Sequence, residues 1–159
     1  MSRHEIETGT QTCQAYVDDG VAVITLNRPA ARNALSKPML DALEATLEHA
    51  ERTPDIRVVV VTGAGKAFCA GGDVKSMAAG GASEFTLDER IHLQRLSQRN
   101  TAGRMHLMPK PVIAALPGAA AGAGLSIALA ADLRVMADTA FITTAFAKVG
   151  YSGDFGGSY

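Results

Sequence analysis

The runs Ala15 to Val17 and Val21 to Leu26 are rich in β-formers and are separated by Asp18-Asp19-Gly20, a spacing that predicts a β-hairpin. Asn27-Arg28-Pro29 ends the second run. Ser36 followed by Pro38 marks a helix entrance, and Leu40, Leu43, Leu47 and Ala50 then recur at helical spacing, so this helix should cover one sheet face. Ile56 to Thr62 is dominated by β-branched residues, as expected of a strand buried on both faces, and Gly63-Ala64-Gly65-Lys66 follows it. Leu87 to Met108 reads as a long helix stopped by Pro109 and Pro111. Gly80-Gly81-Ala82-Ser83 divides it from a short helix after Asp73 and reads as a mobile stretch. Val112 to Leu116 predicts another buried strand, Gly118 to Gly124 a turn, and Leu125 to Ala131 a helix. Short strands follow at Leu133 to Met136 and Ala140 to Ile142, and Gly156-Gly157-Ser158-Tyr159 resembles a helix entrance. Strand, glycine-rich turn and helix thus succeed one another twice, in an α/β pattern.

A chain of 159 residues suits a single domain, 1–159, with a sizeable core. Apolar residues make up 47% and charged residues 19%, an oily balance that extra burial at a subunit interface would explain. The net charge of -1, with acids and bases interleaved, leaves no footprint for nucleic acid or an anionic membrane and favours small-molecule chemistry. Cys13 and Cys69 match neither a CxxC redox pair nor a zinc spacing and fit a reducing cytoplasm; no metal site is expected. Met1 to Thr10 lacks the apolar region of a secretory signal. Val112 to Ala131 is uncharged and long enough to span a bilayer, but Pro117 and Gly118 break it, so a buried strand, turn and helix is the better reading.

The two turns, Phe68 to Asp73 and Gly118 to Gly124, carry the candidate chemistry. A helix N-terminus presents unpaired N–H groups and a partial positive charge, and residues with little side chain let a ligand oxygen approach. Ala70-Gly71-Gly72 and Gly122-Ala123-Gly124 both supply such residues. Two donors converging on one carbonyl oxygen form an oxyanion hole, in which each is worth about 10²- to 10³-fold in rate. Tight helix-to-strand packing is the alternative use of the same small residues.

Taken in order, Asn27-Arg28-Pro29 with Asn33-Ala34-Leu35, then Gly65-Lys66-Ala67-Phe68-Cys69-Ala70-Gly71-Gly72-Asp73, then Gly118 to Leu125, resemble the enoyl-CoA hydratase/isomerase, or crotonase, family from about Ala15 onward. The resemblance implies a spiral of strand-strand-helix units and a coenzyme A thioester as substrate, with coenzyme A part of that substrate and no separate cofactor. It puts the two oxyanion donors on the N–H groups of Ala70 and Ala123, and lines the site for the coenzyme A moiety with Arg32, Ala34 and the segment Ala70, Gly71, Gly72, Asp73 and Val74. It further implies a longer chain whose C-terminal helices, absent here, close the acyl pocket and build trimers, often paired into hexamers.

The family's hydratases use two glutamates to handle water, and the matching positions here hold Ser126 and Phe146. Phenylalanine moves no protons, and a serine hydroxyl is a poor base unless activated. Asp154 matches the position where several family isomerases and related enzymes carry their catalytic carboxylate. One carboxylate suits a proton shuttle that shifts a double bond, which makes an isomerase-like enzyme the leading expectation; hydration through another base, or silent acyl-CoA binding, are the alternatives. Asp154 could instead cap a helix starting near Gly156.

Other residues fit blander roles. Asp73 should stabilise the helix start after the first turn, and Asp132 and Asp138 should serve turns. His4, His49, His92 and His106 lie in the N-terminal tail or on helical segments without an evident partner. Gly124-Leu125-Ser126-Ile127-Ala128 approaches a nucleophile elbow, but Ala119 to Ala123 is β-poor and no His follows Ser126, which excludes a serine hydrolase. Dinucleotide and Walker-type loops fail on glycine spacing.

Overall fold

The computed structural model describes residues 3–74, 85–150 and 152–157, the side chain of Val149 excepted. The loose stretch Gly80 to Ser83 and the body of the short helix expected after Asp73 lie outside the described residues. The hairpin is present as β2 (Cys13–Asp18) and β3 (Val21–Leu26), with β1 (His4–Ile6) added along its free edge. His4 therefore sits in a strand rather than a loose tail. β4 (Val58–Gly63), β6 (Val112–Leu116) and β8 (Leu133–Met136) extend this sheet in parallel, giving the order β1-β2-β3-β4-β6-β8. β4 and β6 carry the expected apolar runs, but their burial alternates, with one face fully buried and the other half-buried, so they are not buried equally on both faces.

Besides β1, two more strands were not expected. β5 (Ala67–Cys69) and β7 (Ala119–Ala121) are short and alanine-rich, with little β-propensity of their own. Pairing creates them: with β9 (Ile142–Thr143) they form a second parallel sheet, β5-β7-β9. The first turn accordingly begins inside a strand, and the second contains one. From β4 onward each large-sheet strand is followed by a small-sheet strand, β4 then β5, β6 then β7, β8 then β9, so the chain winds as a spiral. The stacked turns are tight: a Cβ added to Gly118, where the chain passes from β6 to β7, would lie 2.0 Å from the Lys66 carbonyl oxygen.

Helix α1 (Lys37–Arg52) packs against β2 and β3 through Met39, Leu43 and Leu47, all fully buried. Lys110 Nζ closes its C-terminus by donating to the carbonyls of Ala50 and Thr53, complementing the negative end of the helix dipole. The long predicted helix is three segments: α2 (Leu87–Gln98), a π-helical turn (Arg99–Gly103) and α3 (Arg104–Leu107). Thr86 and Glu89 form a capping box at its start. Helix α4 (Ala123–Ala130) begins two residues earlier than its periodicity predicts, because Gly122, at φ 54°, turns the chain directly out of β7. The segment considered as a bilayer span is β6, β7 and α4, and among the described residues no helix is long and apolar enough to cross a membrane.

Burial pushes the thiols of Cys13 and Cys69 up to about 12. The thiolate is the reactive form. Both cysteines are therefore expected to resist alkylation at neutral pH in the folded protein and to react after denaturation; mass-detected labelling in the native state would contradict this.

Candidate active site

Parallel pairing of β5 with β7 explains why two turns distant in sequence become neighbours. Paired strands lie about 4.8 Å apart, so the segments leaving equivalent ends of β5 and β7 emerge side by side. Gly71 lies so near the second turn that a Cβ there would stand 3.4 Å from the Ala123 nitrogen and 2.9 Å from the Ala121 carbonyl oxygen. At Gly124 an added Cβ would be 2.4 Å from the Cys69 carbonyl oxygen. Small residues thus serve packing and leave backbone groups accessible at the same time.

The first motif holds the first turn in place. Asn33 is fully buried; its Oδ1 accepts from the Arg28 N–H at 2.8 Å, and its Nδ2 donates to the carbonyls of Ala64 (2.9 Å) and Ala67 (2.8 Å). Arg28 donates to the Ala34 carbonyl and pairs with Asp73 Oδ2 at 2.9 Å. Asp73 is therefore an ion-pair partner that ties the turn to the Asn-Arg-Pro motif. Asp132 accepts from the Val112 N–H at 2.8 Å and anchors the start of β6.

A short ladder orders the N–H groups of the turn. Ala70 N–H donates to Arg32 O (3.0 Å), Leu35 N–H to Gly71 O (2.8 Å) and Asp73 N–H to Leu35 O (3.3 Å). The expectation that Ala70 offers a free donor is therefore corrected, since its N–H is occupied by Arg32. Gly72 is the residue bridged to Leu35 in parallel fashion, an arrangement in which the hydrogen bonds flank the bridging residue and its own N–H points the opposite way. Among the described residues no hydrogen bond is made by the N–H of Gly72 or of Ala123. Glycine spacing points to the turn, and the ladder identifies which of its N–H groups makes no hydrogen bond among the described residues.

Arg32, Ala70 and Val74 are exposed around this turn, with Ala34 partly exposed beside them. Arg32 adopts φ 50°, in the left-handed region, which turns the chain between the Asn-Arg-Pro and Asn-Ala-Leu segments. These residues form a lip on the Gly71–Gly72 side of the site.

On the other side, Ser126 is 1% exposed and its Oγ has no hydrogen-bond partner among the described residues. Gly157 packs on it, since a Cβ there would lie 2.4 Å from Ser126 Oγ and 3.3 Å from the Asp154 carbonyl oxygen. Phe146 packs under Gly153. The spiral thus gathers Ser126, Phe146 and the Asp154 segment from three separate stretches of sequence. Instead of a helix near Gly156, the described residues form a turn in which Gly157 N–H donates to Asp154 O at 3.0 Å, with Phe155 at φ 49°. Asp154 Oδ1 is buried without a partner among the described residues, and desolvation holds the carboxyl above its ordinary range. A carboxyl whose proton affinity is raised by burial is suited to exchanging protons with a substrate.

The family described as enoyl-CoA hydratase/isomerase matches residues 17–159. A protein named as a probable enoyl-CoA hydratase in Mycobacterium tuberculosis is 42% identical over 134 residues, covering 84% of this chain and 50% of that protein. The 1,2-epoxyphenylacetyl-CoA isomerase of Escherichia coli is 36% identical over 148 residues, covering 91% and 55%. The crystal structure of an enoyl-CoA hydratase from Polaromonas sp. JS666 superposes with a TM-score of 0.81 at 38% identity, covering 92% of this chain and 56% of that one. The chain spans about half the length of the curated relatives it matches.

Proposed function

Since the chain belongs to the enoyl-CoA hydratase/isomerase family, we propose that it acts on an acyl-CoA thioester and shifts a double bond by proton transfer through Asp154. The observation that carries this reading is the close approach of two turns, with the N–H of Gly72 on one and that of Ala123 on the other making no hydrogen bond among the described residues. The thioester oxygen accepts from both. Asp154 takes a proton from carbon; the C–H electron pair moves towards the thioester, and the negative charge comes to rest on the oxygen held by the two N–H groups. Return of the proton to another carbon leaves the double bond shifted, with no change in oxidation state. Arg32, Ala34, Ala70 and Val74 form the lip for the coenzyme A moiety.

Water addition is the second reading, favoured by the buried, unpartnered Ser126 hydroxyl beside Asp154, which offers a hydrogen bond to a water in the position a glutamate holds in the family's hydratases. The test is an assay of double-bond migration and of hydration on short and medium enoyl-CoAs. Migration without hydrated product is expected. Hydration alone would transfer the assignment to the second reading, and binding without either product would mark a catalytically silent acyl-CoA-binding protein. Any homotrimer or hexamer, as the family resemblance implies, is a property to be measured on the same preparation.

A further inference from the structure

Cys69 stands where the two turns meet. It is the last residue of β5 and pairs with Ala120 of β7, so its backbone is tied to the strand that leads into the second turn. Gly124, the residue after the Ala123 donor, packs directly on it, since a Cβ at Gly124 would lie 2.7 Å from Cys69 Cβ. The side chain of Cys69 reaches the other way. Its Sγ serves as a weak acceptor for the Gly71 N–H of the first turn, at 3.5 Å. The thiol is fully buried and burial holds it protonated, so it offers an acceptor rather than a nucleophile.

That bond completes the account of the N–H groups in the first turn. Ala70, Asp73 and Val74 donate to the carbonyls of Arg32, Leu35 and Gly72, and Gly71 donates to Cys69. From residue 70 to residue 74, Gly72 alone has an N–H that makes no hydrogen bond among the described residues. Gly71 is thus held at both of its polar groups, the N–H by Cys69 and the carbonyl by the Leu35 N–H at 2.8 Å. The Gly71 carbonyl and the Gly72 N–H belong to one planar trans peptide group and point in opposite directions, so holding Gly71 aims the Gly72 N–H. Two successive glycines, the first at φ 95°, supply no steric restraint of their own. A donor lowers the barrier most when it is already aimed as the negative charge develops.

Resting on the thioester reading above, we propose that Cys69 is a positioning residue for the oxyanion hole: its thiol aims the Gly72 N–H, and its backbone sets that donor's place against Ala123. The thiol itself forms no bond to the substrate and exchanges no proton with it.

The test reads the carbonyl stretch of bound butyryl-CoA, isotopically labelled at its carbonyl carbon, by infrared difference spectroscopy. In the unsubstituted protein the band is expected below its position in water and narrow, because aimed donors polarise the carbonyl. Cys69→Ala should give a smaller downshift and a broader band. Cys69→Ser should keep most of the shift, its hydroxyl accepting from the same N–H. Serine and alanine are close in volume, so lost packing would affect both variants alike, and only the acceptor separates them. With an enoyl-CoA, Cys69→Ala should lower kcat by about 10- to 10²-fold with KM nearly unchanged, as expected of misplacing a group that acts in the transition state. Equal bands in the Ala and Ser variants, or an Ala variant matching the unsubstituted protein in band or in rate, would overturn the positioning role while leaving the thioester reading intact. An unshifted carbonyl in the unsubstituted protein, or failure to bind the thioester, would overturn both.

Discussion

Asp154→Asn is expected to lower turnover of an enoyl-CoA by about 10²- to 10⁴-fold, the range over which a positioned acid-base group contributes. The amide is nearly isosteric with the carboxyl but does not act as a base, and the backbone donors are untouched, so affinity for a saturated thioester should change little. The pH dependence of the unsubstituted protein should carry the signature of a raised carboxyl. Burial disfavours the carboxylate, so rate should fall as acidification carries the pH through a value above the ordinary 3.8.

Stability should respond in the opposite sense. A carboxyl whose folded pKa exceeds its unfolded one contributes stability that is complete below the unfolded pKa and is lost as pH rises through the folded pKa. Above the folded pKa the protein thus holds a poorly solvated charge. Asp154→Asn should consequently melt higher than the unsubstituted protein at a pH above that value, with the gap closing in acid. A group retained against stability fits catalysis better than capping. Unchanged turnover in the Asn variant would remove Asp154 from the mechanism.

Asn33→Ala should destabilise the fold by about 3 to 5 kcal/mol, a large share of the 5–15 kcal/mol typical of a domain. Its fully buried side chain satisfies the Arg28 N–H and the carbonyls of Ala64 and Ala67, and each group abandoned in the interior costs about 1 to 3 kcal/mol. For a chain of this size the melting temperature should fall by roughly 6 °C or more. Asn33→Asp should be no better than Ala, because two carbonyls would then face a carboxylate that cannot donate to them. Denaturant titration measures the loss; a change under about 1 kcal/mol would mean that these groups find other partners. Since Asn33 also braces the ladder that frees Gly72, thioester affinity should fall in the Ala variant at temperatures where it remains folded.

These residues show why some of the site was legible before any coordinates and some was not. Strong local patterns were enough for the hairpin, α1, β4, β6 and β8, whose apolar periodicity or β-branched content has one stable solution. The importance of Ala70-Gly71-Gly72 and Gly122-Ala123-Gly124 was also legible, because close approach to backbone requires small residues whatever the fold. Asn33 gave no local cue to its work: its partners lie 5, 31 and 34 residues away. A groove at the end of α4 draws its wall from Arg95 to Gly157, a grouping that no window of sequence displays.

Ala70 makes the boundary plain. Composition and glycine spacing were sufficient to mark both turns as places where the backbone can be closely approached, since that depends only on which residues lack bulk. Which N–H remains free was decided by the pairing of residues 32–35 with residues 70–73, which occupies Ala70 and turns Gly72 outward. β5 and β7 likewise exist because they are partnered, their alanines having too little intrinsic preference to form strands alone. Local chemistry thus settled what the turns can offer. Contacts between distant segments settled which backbone N–H groups the ladder occupies.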